Sequence, residues 1–251
     1  AHCVANGAMK YQVLATDYDG TIAFEGRVDQ ETVDALRRVR DAGAALLLVT
    51  GRELTDLFNT FDGVDLFDRV VAENGAVLYD PSTRQIDQLA AAPPPELVDR
   101  LTREQIPLSV GHSVVATVEP HEQAVIAAIH DLALDWHIVF NKGSIMALPA
   151  EVTKATGLRA ALEALHLTAE TTIAVGDAEN DLVFLRCCGL AVAVANALPT
   201  VKAIADVVTE GARGAGVIEL IEQWLSGAVD TVAVNQAREQ SRSGSSAITS
   251  R

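Results

Sequence analysis

From Val13 to Leu225 the chain alternates short apolar runs with amphipathic stretches, and this alternation limits the possible folds more than any other feature. Runs of three to six apolar residues are strand-sized, and amphipathic segments of ten or more residues between them are crossover helices. The pattern therefore predicts βα units around a mostly parallel sheet, an α/β fold. Val13–Ala15 is the first strand. Gln30–Ala42 carries Val33, Leu36 and Val39 on one helical face and stops at Gly43. Leu46–Val49 and Arg69–Ala72 read as strands around a helical Glu53–Asn59. Lys154–His166 places Leu158, Leu162 and Leu165 on one face. A strand Thr171–Val175, a helix Asp181–Cys187, a strand Leu190–Val194 and a helix Ala215–Leu225 complete the series.

The middle of the chain breaks the rhythm. Between about residues 83 and 149 it reads as a strand-like Arg84–Gln88, a Pro93–Pro95 run and a helix from Glu96 to Arg103. An extended Ser113–Val118, a helix His121–Leu134 and extended pieces near Ile138–Phe140 and Ser144–Leu148 follow. Two helices with intervening extended pairs make a small α+β unit inserted into the parallel domain. The expected division is a core of residues 9–82 and 150–227 with an insertion at 83–149, joined near Pro81 and Pro149. Residues 1–8 and 228–251 read as flexible termini, the latter ending in the polar Ser241–Arg251.

Composition narrows the function classes. Thirty-four acidic against 19 basic side chains give a formal charge of −15 over 251 residues. Such a surface repels phosphate backbones and anionic lipid, which argues against nucleic-acid and membrane-surface partners. No apolar run approaches the ~18 residues of a membrane helix. Cys187 and Cys188 are adjacent, which suits neither a long-loop disulfide nor a chelating pair, and with Cys3 they point to thiols in a reduced cytoplasm. The six histidines are scattered and lack metal-ligand spacing.

Four short motifs carry the chemistry. Asp17–Tyr18–Asp19–Gly20–Thr21 directly follows the first strand, where carboxylates at a strand end face the crevice in which open α/β sheets bind ligands. Two acids so close are costly without a cation. Gly176–Asp177–Ala178–Glu179–Asn180–Asp181 follows a second buried strand, with Asp177 at the strand end and Asp181 one turn later on the same side. Hard oxygen ligands from two strand ends suit an octahedral Mg²⁺. Thr50–Gly51–Arg52 follows the strand Leu46–Val49 with a hydroxyl and a backbone N–H placed to hold a phosphate oxygen. Lys154 stands in the first turn of its helix, a position that favours an anion at the helix N-terminus. Alone, each motif also reads as an ordinary turn, cap or surface lysine.

In this order, the four motifs resemble the haloacid dehalogenase superfamily in its Mg²⁺-dependent phosphohydrolase branch. The resemblance runs from Met9 to about Gly227. The insertion, the preceding Glu73–Asn74–Gly75–Ala76, and Asn196–Ala197 with Lys202, Ala205–Asp206 and Gly216–Val217 are similar to the α/β-capped (Cof-like, type IIB) sugar-phosphatase-like subfamily. The resemblance implies a Rossmann-like three-layer core with a small α+β cap. It implies Asp17 as a nucleophile forming an aspartyl-phosphate and Asp19 as the general acid and base. Mg²⁺ would be held by Asp17, the Asp19 carbonyl and Asp177, with Asp181 acting directly or through water. Thr50, Gly51, Lys154 and Asn180 would hold the phosphoryl oxygens. Dehalogenases and P-type pumps of the superfamily lack the second acid, so Asp19 favours a phosphatase or phosphomutase.

The resulting expectation is a cytoplasmic phosphatase for a small phosphomonoester, a phosphosugar or a phosphorylated carboxylic acid such as phosphoglycolate. A phosphomutase, or a regulatory domain with little turnover, is the alternative. The cap has few aromatics and no basic run, which argues against polynucleotide substrates. His112, Lys142 and Arg103 are candidate cap contacts that also read as surface side chains.

Overall fold

The computed structural model describes residues 10–141 and 143–229. The chain opens with β1 (Val13–Thr16), α1 (Gln30–Asp41), β2 (Ala45–Val49), α2 (Leu54–Thr60), β3 (Arg69–Ala72), β4 (Val77–Asp80) and β5 (Gln85–Gln88). The inserted part comprises α3 (Pro95–Arg103), β6 (Ser109–Val110), β7 (Val115–Val118), α4 (Glu122–Asp131), β8 (Trp136–Asn141) and β9 (Ser144–Pro149). The second half supplies α5 (Lys154–Ala164), β10 (Thr172–Gly176), α6 (Leu182–Leu185), β11 (Leu190–Ala193), α7 (Pro199–Lys202), β12 (Val207–Val208) and α8 (Gly214–Leu225).

Eight strands form one sheet in the order β12-β11-β10-β1-β2-β3-β4-β5, parallel from β12 to β3 and antiparallel from β3 to β5. The strand β1 is fully buried and pairs on one side with β2 and on the other with β10. Chain order runs outward from β1 through β2 and β3, then restarts at β10 and runs the other way. The β1–β10 boundary is thus a topological switch point, where open α/β sheets leave a crevice beyond their carboxyl ends. Asp17 and Asp177 follow those two strands directly.

The expected faces form. On α1, Val33, Leu36 and Val39 are buried, and Asp29 caps the helix by accepting from the Thr32 N–H at 2.7 Å. The site's key helix is α5, whose start is fixed by a reciprocal Thr153–Thr156 capping box. Gly75 lets this helix approach β3: its φ is +112°, and a Cβ there would run into the Thr153 carbonyl. Gly75→Ala is expected to lose at least about 2 kcal/mol in chemical denaturation, since alanine tolerates neither the dihedral nor the contact. A loss below half that value would mean that the helix start has room to move.

Strand β5 departs from the sequence expectation. The sequence assigns residues 85–88 to the insertion, yet β5 pairs with β4 and extends the core sheet. The first crossing to the second sheet therefore comes after Gln88, through the stretch containing Pro93–Pro95, and not near Pro81. That second sheet is antiparallel, in the order β6-β7-β9-β8. With α3 and α4 it closes a separate small core of Leu97, Leu101, Ile106, Val115, Val125, Ala128, Ile129 and Ala147. Val229 packs in the main core. The expected flexible segment 1–8, most of 228–251 and the candidate Lys142 lie outside the described residues. Among those residues no helix is long and apolar enough to cross a membrane.

Candidate active site

Three carboxylates and one ammonium meet at the switch point. Ligand atoms of Asp17, Asp177 and Asp181 lie within 4.8 Å of one another, and all three residues are buried. Lys154 reaches in from the first residue of α5, 2% exposed, and its Nζ donates to Asp17 Oδ1 at 2.5 Å and to Asp181 Oδ1 at 2.6 Å. Two buried carboxylates of the protein itself thus stand beside this lysine. Asp181 is itself pinned, since its Oδ2 accepts from the Asp177 and Ala178 N–H groups, both at 2.9 Å. It belongs to a tight 3₁₀ turn, Glu179–Asp181, with only the four-residue α6 behind it. The longer helix expected over Asp181–Cys187 is absent because the chain must return to β11 at Leu190. Thr21 Oγ1 donates to Asp17 Oδ2 at 3.1 Å.

The electrostatics are unbalanced. Burial, with Asp181 and Asp177 nearby, pushes the Asp17 carboxyl well above the ordinary carboxylate range despite the Lys154 contact. Burial alone would lower the Lys154 ammonium, but Asp17 and Asp181 hold it above its ordinary value. Three acids against one lysine leave a net negative, water-poor knot. A hard divalent cation is the group whose charge and oxygen preference match such a donor set.

Asp19 lies outside this knot. Arg52 grips it with both arms of its fork, Nε to Oδ2 at 2.7 Å and an Nη to Oδ1 at 2.8 Å. The remaining Nη donates to Asp56 at 2.6 Å, and the guanidinium sits over the Tyr18 ring at 5.1 Å. Thr50 is buried beside this pair; its hydroxyl accepts from the Arg52 N–H at 3.1 Å. The sequence motif contains Arg52 but assigns it no role. Its position directly after Thr50–Gly51 at a strand end is the available signal.

Asn180 Nδ2 donates to Asn74 Oδ1 at 3.0 Å, and Asn74 Nδ2 meets Met146 Sδ of β9 at 3.1 Å. Asn74 likewise has no site role in the sequence reading. Nor does Asn196, which donates to the Gly20 carbonyl at 2.8 Å and holds the Arg213 N–H through its Oδ1 at 2.8 Å. A cleft of about 490 Å³ opens over Asp17, Asp19, Gly51 and Arg52, and Asn141, Ser144 and Met146 of the second sheet roof it. Of the candidate cap contacts, Arg103 is exposed on α3, donates to the Asp99 carbonyl and is not among these lining residues. His112 seats against Glu73. Cys187 and Cys188 are free, and burial pushes the Cys188 thiol up to about 12, so it is protonated at neutral pH.

The grip of Arg52 on Asp19 has a measurable consequence if Asp19 moves protons. Arg52→Ala should change kcat for an alkyl phosphomonoester far more than for p-nitrophenyl phosphate, because a good leaving group needs little acid help. Asp19→Asn should show the same contrast more strongly. Equal losses on both substrates would separate Arg52 from proton transfer.

Comparison with known proteins agrees with this geometry. The family model described as haloacid dehalogenase-like hydrolase matches residues 14–131 and 110–221. A phosphoglycolate phosphatase of Methanothermobacter thermautotrophicus is 32% identical over 224 residues, covering 85% of this chain and 99% of that protein. A phosphoglycolate phosphatase of Methanosarcina acetivorans is 28% identical over 230 residues, covering 85% and 96%. Among solved structures, a haloacid dehalogenase-like hydrolase from Bacteroides thetaiotaomicron superposes with a TM-score of 0.74 at 19% identity, covering 85% of this chain and 99% of that one. The chain belongs to the haloacid dehalogenase-like hydrolases.

Proposed function

We propose that the chain is a Mg²⁺-dependent phosphatase of small phosphomonoesters, with a phosphorylated carboxylic acid such as phosphoglycolate as the first substrate to test. The observation that carries this reading is the knot of Asp17, Asp177, Asp181 and Lys154 at the switch point. The two relatives named phosphoglycolate phosphatase support the substrate class. A cleft of about 490 Å³ fits a small ligand.

Asp17, Asp177 and Asp181, with the Asp19 carbonyl, would hold Mg²⁺. When bound, the ion would neutralise part of the charge on the phosphoryl group. Asp17 attacks phosphorus with a carboxylate oxygen; the bond from phosphorus to the ester oxygen breaks, and Asp19 gives that oxygen its proton. A water then attacks the phosphorus of the aspartyl-phosphate. Asp19 takes the proton back and Asp17 is released with inorganic phosphate. The fork of Arg52 occupies both Asp19 oxygens, so the acid step requires Asp19 to turn at least one oxygen toward the leaving group. Thr50, Gly51, Lys154 and Asn180 would hold phosphoryl oxygens.

Phosphate release should therefore occur from phosphoglycolate with Mg²⁺ and stop with chelator. A panel of phosphosugars and phosphorylated acids, assayed alongside phosphopeptides and oligonucleotide ends, tests the class. Best turnover on a phosphopeptide or nucleic-acid end would contradict it. Transfer of phosphate to a second hydroxyl without release would instead mark a phosphomutase.

A further inference from the structure

Glu73 has no part in the chemistry above, yet it is among the most constrained side chains in the protein. It is fully buried and stands at φ +50°, followed by Asn74 at +53°, two left-handed residues in succession. Such a backbone is strained for side-chain-bearing residues and persists only where the surroundings enforce it. Its carboxylate points out of the core sheet into the turn between β6 and β7. There Oε1 accepts from the His112 N–H at 2.9 Å and contacts His112 Nδ1 at 3.0 Å, while Oε2 accepts from the Ser113 N–H at 2.9 Å. The turn fits closely around it, since a Cβ on Gly111 would come within 2.7 Å of the Glu73 carboxyl.

More attachments gather at the same place. Gln88 donates to the His112 carbonyl at 2.8 Å and to Ser113 Oγ at 3.1 Å, and Ser113 Oγ donates to the Ala90 carbonyl at 2.8 Å. The β8–β9 end of the same sheet, with Asn141, Ser144 and Met146, roofs the cleft over Asp17 and Asp19. One edge of the cap is thus seated on the core beside its first crossing, and another part of the same sheet overhangs the chemistry.

We propose that Glu73 is the positioning residue on which the cap is seated, fixing the placement of the β8–β9 roof over the cleft. It touches no reacting atom. A buried carboxylate that accepts from two backbone N–H groups resists removal, because opening this contact would leave its charge unpaired away from water. Loosening it lowers the fraction of molecules with the roof in place, and apparent affinity falls in proportion to that fraction. A substrate that needs the roof suffers through KM, whereas one cleaved without it is spared. The kinetic consequence rests on the phosphatase reading; the mechanical one does not.

The test uses the full chain and the variant Glu73→Gln, which places an amide N–H₂ against one of the two backbone donors. Hydrogen exchange at the His112 and Ser113 amides should accelerate by about tenfold or more while the core strands stay protected. KM for phosphoglycolate should rise by about tenfold with kcat within roughly twofold, and p-nitrophenyl phosphate cleavage should change by less than about threefold. His112→Ala, which keeps both backbone donors, should show the same pattern at smaller size and covers the case that Glu73→Gln does not fold. Unchanged exchange in the folded variant, or equal kinetic losses on both substrates, would overturn the proposal. If wild type cleaves neither substrate, the phosphatase reading fails, and exchange alone decides the role of Glu73.

Discussion

Asp17→Asn is expected to abolish turnover while leaving the fold intact. The substitution keeps the side chain's shape and its place after β1. The new amide oxygen can still accept from Lys154 Nζ, and its N–H₂ then faces the Thr21 hydroxyl, which can accept as well as donate. It removes the oxygen proposed to attack phosphorus and one of the three carboxylate charges that would hold a cation. Losing a covalent nucleophile costs orders of magnitude, so activity should fall by more than about a hundredfold. Folding should be preserved or improved without Mg²⁺, because the substitution relieves a carboxyl that burial and Asp181 already disfavour as an anion. Thermal melts with and without Mg²⁺ should show a smaller stabilisation by the ion than in wild type. Retained multiple turnover above one hundredth of wild type would exclude Asp17 as the nucleophile.

Lys154→Met should produce the largest loss of stability of any single change at the site. Lys154 is 2% exposed and bonds two carboxylates that are buried themselves. Methionine fills a similar volume but leaves Asp17 and Asp181 facing each other without compensation. Breaking a buried ion pair on one side costs about 3–5 kcal/mol, which for a chain of this size lowers Tm by roughly 6–20 °C. Mg²⁺ should recover part of the loss, since it would supply positive charge to the same acids. Turnover should fall by about 10²-fold or more even with saturating Mg²⁺, because the preorganised cation proposed to hold a phosphoryl oxygen is gone. A Tm within about 2 °C of wild type in chelator would show that the two carboxylates reach water once the lysine is removed.

The parts of this architecture that are legible in the sequence are those set by local periodicity. The faces of α1 and α5 and the buried strands β1, β2, β3, β10 and β11 follow from apolar spacing, and the acids at the ends of β1 and β10 follow from them. Strand β4 escapes the sequence reading although its signal is present. Asn74–Gly75 before an apolar Val77–Tyr79 marks a chain reversal, and the structure turns there into an antiparallel pair with β3. Strand β5 falls to the wrong sheet in the sequence reading because a four-residue exposed strand, Gln85–Gln88, carries no core pattern to say which partner it takes. Tertiary pairing decides that, as it decides the two-residue β12. At the site, residue types are readable and their partners are not. Thr50–Gly51–Arg52 shows an arginine at a strand end, but only the meeting of two loops 33 residues apart shows that it holds Asp19. In the sequence Lys154 reads as a lysine waiting for an anion in solvent, whereas two side chains 137 and 27 residues distant enclose it.

The central claim is a covalent phosphoryl transfer to Asp17, and the most direct measurement is to trap it. The protein mixed with excess phosphoglycolate and Mg²⁺, quenched in acid within a turnover and digested, should yield a peptide containing Asp17 heavier by one phosphoryl group. Reduction of the quenched acyl phosphate with borohydride should mark the same residue, and neither product should form with chelator or in Asp17→Asn. Rapid phosphate release with no phosphorylated species at any quench time, or a phosphoryl group mapped to another residue, would contradict the account.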